Sequence, residues 1–297
     1  MALLAGGVDL EHHTTDVDGT RIHYVTSGSG PAVLLLHGWP QTWYAWRRVA
    51  ASLADYTVVM PDLRGFGNSA KPGSGYDAAT MAADLRGLLS TLQLEDVTVV
   101  GHDWGAVFGC VLAASYPEVV SALGIVEMVL PGVGMLEEAM RPRADGQFLW
   151  HMGFQSVPDI PELLLRGNER PYLEWFFERY AYDPSTITAA DLDEYVAALK
   201  RVGALRAGLA VYQAYFETAA QVASLADSPL AIPVTAYGGD ASLGESTLTS
   251  VRVVAPGAQG GVIPRCGHWA PEERPEFVAE IVRELAARPD RPFESRL

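Results

Sequence analysis

Short apolar segments alternate with amphipathic ones along the first 126 residues of the chain. Five short segments rich in β-branched or aliphatic residues predict strands: Arg21–Val25, Ala32–Leu36, Tyr56–Met60, Val97–Val100 and Leu123–Val126. We expect the first to be an edge strand and the second, third and fourth to be buried. Apolar residues from Met81 to Leu92 recur at helical spacing and predict an amphipathic helix. This alternation predicts a mostly parallel sheet with helices on both faces.

The alternation stops after the fifth strand. From Leu130 to about Asp227 no segment has the pattern of a buried strand, and aromatic residues are frequent. Three segments in this region have helical patterns: Glu169–Tyr180, Ala189–Arg201 and Ala204–Gln221. Strand patterns return at Ile232–Tyr237 and Gly260–Ile263, and a last helix follows around Ile281. We therefore predict a helical cap, residues 130–227, inserted into an α/β core formed by residues 1–129 and 228–297.

The composition narrows the possible partners and location. The chain has 297 residues, 49% of them hydrophobic, and a formal net charge of −15. This acidity argues against binding to nucleic acid or to an anionic membrane, because both are polyanions. No apolar run approaches the roughly 18 residues of a membrane span, and the first seven residues lack a signal-peptide pattern. We expect a cytoplasmic protein. The placement of its two cysteines, Cys110 and Cys266, suggests no disulfide framework.

The motif Gly101-His102-Asp103-Trp104-Gly105 lies between the predicted strand Val97–Val100 and a predicted helix, Ala106–Tyr116. Strand, G-x-nucleophile-x-G turn and helix together form a nucleophile elbow, which holds one side chain in a strained, exposed pose. Glycines flank the turn because its sharp reversal leaves no room for a Cβ. Here the nucleophile position is Asp103, and the chain contains no G-x-S-x-G motif. A carboxylate is ionised at pH 7 and attacks an sp³ carbon to form an alkyl ester.

A second turn at the same edge of the predicted sheet supplies part of an oxyanion hole. His37-Gly38-Trp39-Pro40 follows the strand Ala32–Leu36 directly, at the carboxyl edge where open α/β sheets bind ligands. The backbone N–H groups of Trp39 and Trp104 are the natural pair of donors, one from each loop.

His268 is the candidate general base. It lies just after the final predicted strand, and the order nucleophile, acid, histidine matches the hydrolase arrangement. Its role would be to deprotonate the water that attacks the ester. Two carboxylates compete to orient it: Asp240 follows the penultimate strand, and Glu127 follows the strand Leu123–Val126. The residues alone leave this choice open. No other histidine has a metal-binding context, so we expect neither a metal nor a cofactor.

These motifs resemble those of the epoxide hydrolases of the α/β-hydrolase superfamily. The matching segments are spread over nearly the whole chain: His37–Pro40, Asp62–Ser69, Gly101–Gly105, and Gly267–Trp269 with the following Pro271–Pro275. The resemblance implies an α/β-hydrolase fold with an inserted cap. It also implies that Asp103 opens an epoxide while cap side chains donate hydrogen bonds to the departing oxygen.

The Cif-like bacterial subgroup of that family pairs a histidine with a tyrosine in the cap. Trp150–Phe154 and Val211–Ala214 are similar to the segments that carry these residues, which implies His151 and Tyr212. The subgroup takes its acid from the earlier strand, and this favours Glu127. Asp240 then stands where the resemblance requires no acid. Independently of the family, a phenol of pKa near 10 can stabilise and protonate the alkoxide of an opening epoxide.

Other functions fit the same motifs less well. A haloalkane dehalogenase also uses an aspartate, a histidine and an acid, and the Trp104 indole could bind halide, but its usual oxyanion-loop asparagine is Trp39 here. A fluoroacetate-type dehalogenase needs a cationic clamp, and residues 104–107 include no arginine. A non-catalytic ligand-binding protein of this fold would not need Asp103 and His268. We therefore predict hydrolysis of an apolar epoxide by water to a vicinal diol, through a covalent Asp103 ester.

Overall fold

The computed structural model describes residues 2–3, 9–144, 146 and 148–287. Nine strands form one sheet: β1 (Ala2–Leu3), β2 (Asp9–Val17), β3 (Thr20–Ser27), β4 (Ala32–Leu36), β5 (Thr57–Pro61), β6 (Val97–His102), β7 (Val120–Val126), β8 (Val234–Gly239) and β9 (Gln259–Ile263). Their order across the sheet is β1-β2-β3-β5-β4-β6-β7-β8-β9. The first three strands pair antiparallel, as does β3 with β5, and all pairs from β5 to β9 are parallel. The predicted mostly parallel sheet is confirmed.

The prediction that Arg21–Val25 forms an edge strand is wrong. This segment belongs to β3, which lies between β5 and β2, a strand that the hydrophobic pattern did not indicate. In β2 only Leu10 and Val17 are buried, and the residues between them are polar. Backbone hydrogen bonds with β3 from Glu11 to Val17 hold this strand in the sheet. Because these bonds do not depend on side chains, the strand forms without the alternation of apolar and polar residues that would have predicted it.

Thirteen α-helices accompany the sheet in the described part of the chain: α1 (Arg47–Ala50), α2 (Ala78–Thr91), α3 (Trp104–Ser115), α4 (Met135–Ala139), α5 (Trp150–Ser156), α6 (Ile160–Leu165), α7 (Glu169–Tyr180), α8 (Ala189–Leu199), α9 (Ala204–Gln213), α10 (Tyr215–Ala223), α11 (Glu245–Val251), α12 (Ala270–Glu273) and α13 (Pro275–Ala286). Helices α4 to α10 lie between β7 and β8, and the described residues of this insertion include no strand. The helix predicted over Ala204–Gln221 is two helices, because Ala214, with ψ of 7°, departs from the helical backbone conformation between them. No described helix is both long enough and apolar enough to cross a membrane.

The sheet separates two apolar layers. Alternate residues of β4 show this division, because Leu34 and Leu36 belong to one buried cluster while Val33 and Leu35 belong to the other. The first cluster contains α2, α3 and the buried aromatic residues of the insertion, and the second contains α1 and α13. The inserted helices therefore share a continuous apolar core with one face of the sheet.

A buried ion network also joins the insertion to the sheet domain. The guanidinium of Arg47 in α1 lies 2.6 Å from Asp191 Oδ1 in α8 and 2.6 Å from Glu272 Oε1 in α12. Tyr195 of α8 donates its hydroxyl to the same Glu272 carboxylate. The side chains of Arg47 and Asp191 are 5% and 7% exposed, so solvent cannot replace a lost partner.

We predict that Asp191→Ala lowers the free energy of unfolding by about 3–5 kcal/mol, because it breaks a buried ion pair and leaves the Arg47 guanidinium with only one of its two carboxylate partners. Asp193→Ala, on the solvent side of the same helix, is the matched control. The side chains of Asp193 and its partner Arg170 are 66% and 42% exposed, so its loss should cost below about 1 kcal/mol. Urea unfolding of both variants measures the difference, and equal losses would contradict the buried network.

Candidate active site

Asp103 occupies a nucleophile elbow between β6 and α3. Its backbone has φ of 53° and ψ of −130°, a conformation that few side-chain-bearing residues adopt and that is found at functional turns. The neighbouring glycines make this turn possible. A Cβ added to Gly105 would lie 2.3 Å from the Leu36 carbonyl oxygen, and one added to Gly38 would lie 2.1 Å from Asp103 Oδ1. A Cβ on Gly101 would lie 2.5 Å from the backbone nitrogen of Ala106, so the sequence-based explanation is confirmed for both flanking glycines, Gly101 and Gly105.

Two backbone amides hold the Asp103 carboxylate. The N–H of Trp39 donates to Oδ1 at 2.8 Å, and the N–H of Trp104 also hydrogen-bonds the carboxylate. Burial alone would raise the pKa of Asp103, but the hydrogen bonds and the His268 charge outweigh it and lower the pKa below its ordinary value. The side chain is thus an anion near neutral pH, beside the two N–H groups that the sequence proposed as an oxyanion hole.

His268 lies between two carboxylates. Its Nε2 is 3.6 Å from Asp103 Oδ2, and its Nδ1 is 3.0 Å from Glu127 Oε2. Burial alone would lower the pKa of His268, but the hydrogen bonds and charges of both carboxylates raise it to about 10. While both carboxylates are ionised, His268 is therefore an imidazolium at neutral pH.

The sheet register brings the two carboxylates together. His102 pairs with Val126 in the parallel strands β6 and β7, so Asp103 and Glu127 are the next residues on adjacent strands. Both have positive φ, 53° for Asp103 and 51° for Glu127. Strands β6 and β7 thus end at the same level of the sheet, and the carboxylates that follow them lie on either side of the His268 imidazole.

Four donors surround the fully buried Glu127 carboxylate. Oε1 accepts from the N–H groups of Gly239 at 2.5 Å and Leu243 at 3.2 Å, while Oε2 accepts from Ser242 Oγ at 2.8 Å and from His268 Nδ1. A buried carboxylate is stable as an anion only when donors compensate for the lost water. Glu127 meets this condition.

Asp240, the other candidate acid, contacts backbone instead. Its Oδ2 accepts from the N–H of Arg265 at 2.8 Å and its Oδ1 from the N–H of Cys266 at 3.0 Å. These two hydrogen bonds lower the pKa of Asp240. Asp240 therefore ties the loop after β8 to the loop that precedes His268, and the structure brings Glu127 to the imidazole.

Tyr212 of α9 and His151 of α5 face the carboxylate from the inserted helices. The Tyr212 ring lies edge-on to the rings of Trp39 and Trp104, with centroid distances of 5.8 and 5.3 Å, and is 6.4 Å from His151. Burial and the Asp103 charge raise the pKa of Tyr212 well above 10. Burial lowers the pKa of His151 to about 4, and its Nδ1 is buried without a hydrogen-bond partner. Both side chains are therefore neutral near pH 7.

A cavity connects these groups. Its polar lining is provided by Asp103, Glu127, His151, Tyr180, Tyr212, Ser242 and His268, and no lysine or arginine in the described part of the chain lines it. Much of the remaining wall is aliphatic or aromatic: Met128, Val129, Leu136, Leu149, Met152, Phe176 and Leu243. The cavity suits a small neutral apolar molecule with one hydrogen-bond acceptor. The described residues include no group of three side chains that could hold a metal ion.

Sequence reasoning missed several contacts around His268. The hydroxyl of Ser242 reaches Glu127, His102 Nε2 donates to the His268 carbonyl at 2.7 Å, and the His268 N–H donates to the Tyr180 carbonyl at 2.7 Å. In addition, the carboxylate of Glu273 accepts hydrogen bonds from the backbone amides on either side of His268. No local pattern marks Ser242 or Tyr180, but Glu273 lies within the segment Pro271–Pro275 that carries the family resemblance.

The chain belongs to the α/β-hydrolase family, whose fold it matches over residues 31–275. It is 37% identical to a soluble epoxide hydrolase of Corynebacterium sp. (strain C12) over 283 residues, which cover 94% of this chain and 98% of that one. The sequence-based resemblance is thereby confirmed.

Two further similarities complete the comparison. The Cif epoxide hydrolase from Acinetobacter nosocomialis shares the fold, with a TM-score of 0.88 at 24% identity over 96% of this chain and 90% of that one. A fluoroacetate dehalogenase from a Burkholderia species is 39% identical over 170 residues, which cover 55% of each chain. The similarity to the dehalogenase thus covers about half the chain, whereas that to the Corynebacterium epoxide hydrolase covers nearly all of it.

We predict that Glu127→Gln slows turnover by on the order of 10²-fold, by analogy with the orienting acid of a triad. Asp240→Asn should be the milder change, because Asp240 accepts from the backbone amides of Arg265 and Cys266 rather than from the imidazole of His268. Steady-state rates of the two purified variants, with circular dichroism as the check on folding, make the comparison. A large loss of turnover in Asp240→Asn together with a near-normal rate in Glu127→Gln would mean that Asp240, and not Glu127, orients His268.

Proposed function

We propose that this protein is an epoxide hydrolase that converts an apolar epoxide to a vicinal diol through an ester on Asp103. The observation that carries the proposal is the placement of an ionised aspartate, rather than a serine, in the elbow, with His268 3.6 Å away and two neutral donors opposite. The full-length similarity to an epoxide hydrolase supports it. In this proposal residues 130–227 act as a cap over a core of residues 1–129 and 228–297.

Ring opening uses the Asp103 oxygen that Trp39 does not hold. Oδ2 attacks the epoxide carbon, the carbon–oxygen bond breaks, and the departing oxygen takes a proton. Tyr212 supplies that proton through its O–H, and His151 donates a second hydrogen bond. Both groups are neutral near pH 7, so they can donate without repelling or neutralising the attacking carboxylate.

Ester formation changes the proton affinity of His268. Esterified Asp103 has no charge, so one of the two carboxylates that raise the pKa of His268 is lost. The imidazolium then releases its proton, which restores the hydroxyl of Tyr212 after that group has protonated the opened oxygen. Neutral His268, oriented by Glu127, deprotonates water for attack on Cγ of Asp103. The oxyanion forms on Oδ1, where the N–H groups of Trp39 and Trp104 stabilise it.

Collapse of this tetrahedral intermediate releases the diol and regenerates the ion pair. The carbon–oxygen bond to the substrate breaks, and the imidazolium of His268 gives its proton to the departing alkoxide oxygen. The neutral imidazole then takes the proton of the new carboxyl group. Asp103 therefore ends as an anion and His268 as an imidazolium, as in the resting site. The sum of the two steps is one epoxide and one water consumed for each diol produced.

The cavity lining disfavours the dehalogenase alternatives. A fluoroacetate-type substrate carries a carboxylate, and among the described residues no lysine or arginine lines the cavity to bind it. For a haloalkane, the indole N–H of Trp104 would be the halide donor, but it already interacts with the Tyr212 hydroxyl. We propose a neutral apolar epoxide and water as the reactants, and neither nucleic acid nor an anionic membrane as a partner of this acidic chain. A cytoplasmic location remains our prediction from the sequence.

A single turnover in ¹⁸O-labelled water tests the covalent mechanism. Because water attacks the Asp103 carbonyl carbon, the first diol should be unlabelled and the peptide that contains Asp103 should gain the label. In His268→Gln the ester should accumulate as a mass increase of one substrate molecule on that peptide, and in Asp103→Ala no adduct should form. A labelled first diol without an adduct would instead mean that water attacks the epoxide directly.

We predict that Tyr212→Phe and His151→Phe each slow ester formation and leave ester hydrolysis nearly unchanged. Both side chains act on the epoxide oxygen, which has left the reacting bond once the ring is open. Removing one donor to developing charge should cost on the order of 10²-fold. Pre-steady-state kinetics separate the two steps. Tyr44→Phe, whose hydroxyl contacts Asp191 instead, is the matched control. Slowing confined to ester hydrolysis would contradict this role.

A further inference from the structure

The loop that carries His268 is attached to the inserted helices rather than to the sheet alone. We refer to residues 264–269 as the base loop and to residues 181–183, which follow α7, as the cap connection. The His268 N–H donates to the Tyr180 carbonyl at 2.7 Å. The backbones approach so closely that a Cβ on Gly267 would lie 2.3 Å from that same carbonyl oxygen. The position of the base therefore depends on where the end of α7 lies.

One carboxylate spans this junction. Oε1 of Glu273 accepts from the N–H groups of Gly267 at 3.1 Å and Trp269 at 3.2 Å, the two residues that flank His268. Oε2 accepts from the N–H groups of Tyr182 at 2.7 Å and Asp183 at 3.3 Å. One oxygen thus binds the base loop and the other binds the cap connection.

We propose that Glu273 is a positioning residue that fixes His268 by joining the base loop to the cap connection. The proposal rests on the proposed function, because it assigns Glu273 to the step in which His268 acts as base. Glu273 touches neither Asp103 nor the cavity, so it acts only through the backbone on either side of His268. A carboxylate suits this role because each oxygen has two lone pairs and can accept from two N–H donors.

The effect on the two chemical steps should differ. Ring opening needs Asp103, Tyr212 and His151, and none of them lies in the base loop or the cap connection. Ester hydrolysis needs His268 within hydrogen-bond reach of a water beside Cγ of Asp103. A small displacement of a catalytic group can cost a large factor in rate. Loosening the junction should therefore slow the second step selectively.

The test compares Glu273→Gln with Glu280→Gln. Glutamine keeps the length of the side chain but replaces one accepting oxygen by an NH₂ group, which cannot accept from the two N–H groups that remain. Glu280 is the control because its side chain is 69% exposed on α13 and lies 3.5 Å from Arg283, away from both segments of the junction. We expect Glu273→Gln to slow ester hydrolysis at least about tenfold while ring opening changes by less than about threefold. Glu280→Gln should match the wild-type protein in both steps.

Hydrogen–deuterium exchange gives a readout that does not depend on turnover. Amides of the base loop and the cap connection should exchange faster in Glu273→Gln, while amides of the central strand β6 keep their wild-type protection. Unchanged exchange at the junction, unchanged ester hydrolysis, or equal slowing of both steps would each overturn the role of Glu273. Failure to detect any ester in the wild-type protein or in His268→Gln would instead overturn the proposed function, and the exchange comparison would still decide whether Glu273 joins the two segments.

Discussion

The site depends on keeping two carboxylates ionised beside one imidazole in a buried place. Asp103 and Glu127 are held by backbone N–H groups, the Ser242 hydroxyl and His268, and together these donors offset the loss of water. The parallel register of β6 and β7 places both side chains at the same edge of the sheet. Removing either charge changes the proton affinity of His268. In the proposed mechanism, esterification of Asp103 makes this change at the moment when the base is needed.

The inserted helices complete this arrangement from the other side. They supply Tyr212 and His151, whose burial keeps both neutral, and the apolar residues that close the cavity. Apolar packing alone fixes such helices loosely in direction, since the hydrophobic effect has no preferred orientation. Directed contacts are provided by the buried network of Arg47, Asp191 and Glu272, and by Glu273 beside the base loop. The contacts that hold the inserted helices against the sheet therefore affect both the stability of the protein and the geometry of the site.

Local sequence patterns predicted the elements that carry the chemistry. The strand before Asp103 and the helix after it were predicted because a fully buried strand is continuously apolar and an elbow needs small flanking residues. The helix over Glu169–Tyr180 has the bounds that the sequence indicated. Strand β2 was missed because it is held by backbone hydrogen bonds while most of its side chains are polar. The break at Ala214 was missed because alanine favours helix and the interruption lies in the backbone.

The sequence by itself determined the alternation that builds a parallel sheet, and it predicted the nucleophile, the histidine base and the two amides at the oxyanion position. All of these depend on residues that are close in the chain or on the order of elements. Only the tertiary structure decided which carboxylate meets His268, because that contact joins residues 141 positions apart through the strand register. It also decided that Asp240 contacts backbone, that Ser242 contacts Glu127, and that Glu273 contacts two separate segments. Such contacts produce no periodic pattern in the sequence, because hydrogen bonds between distant segments depend on how the helices and strands pack against one another.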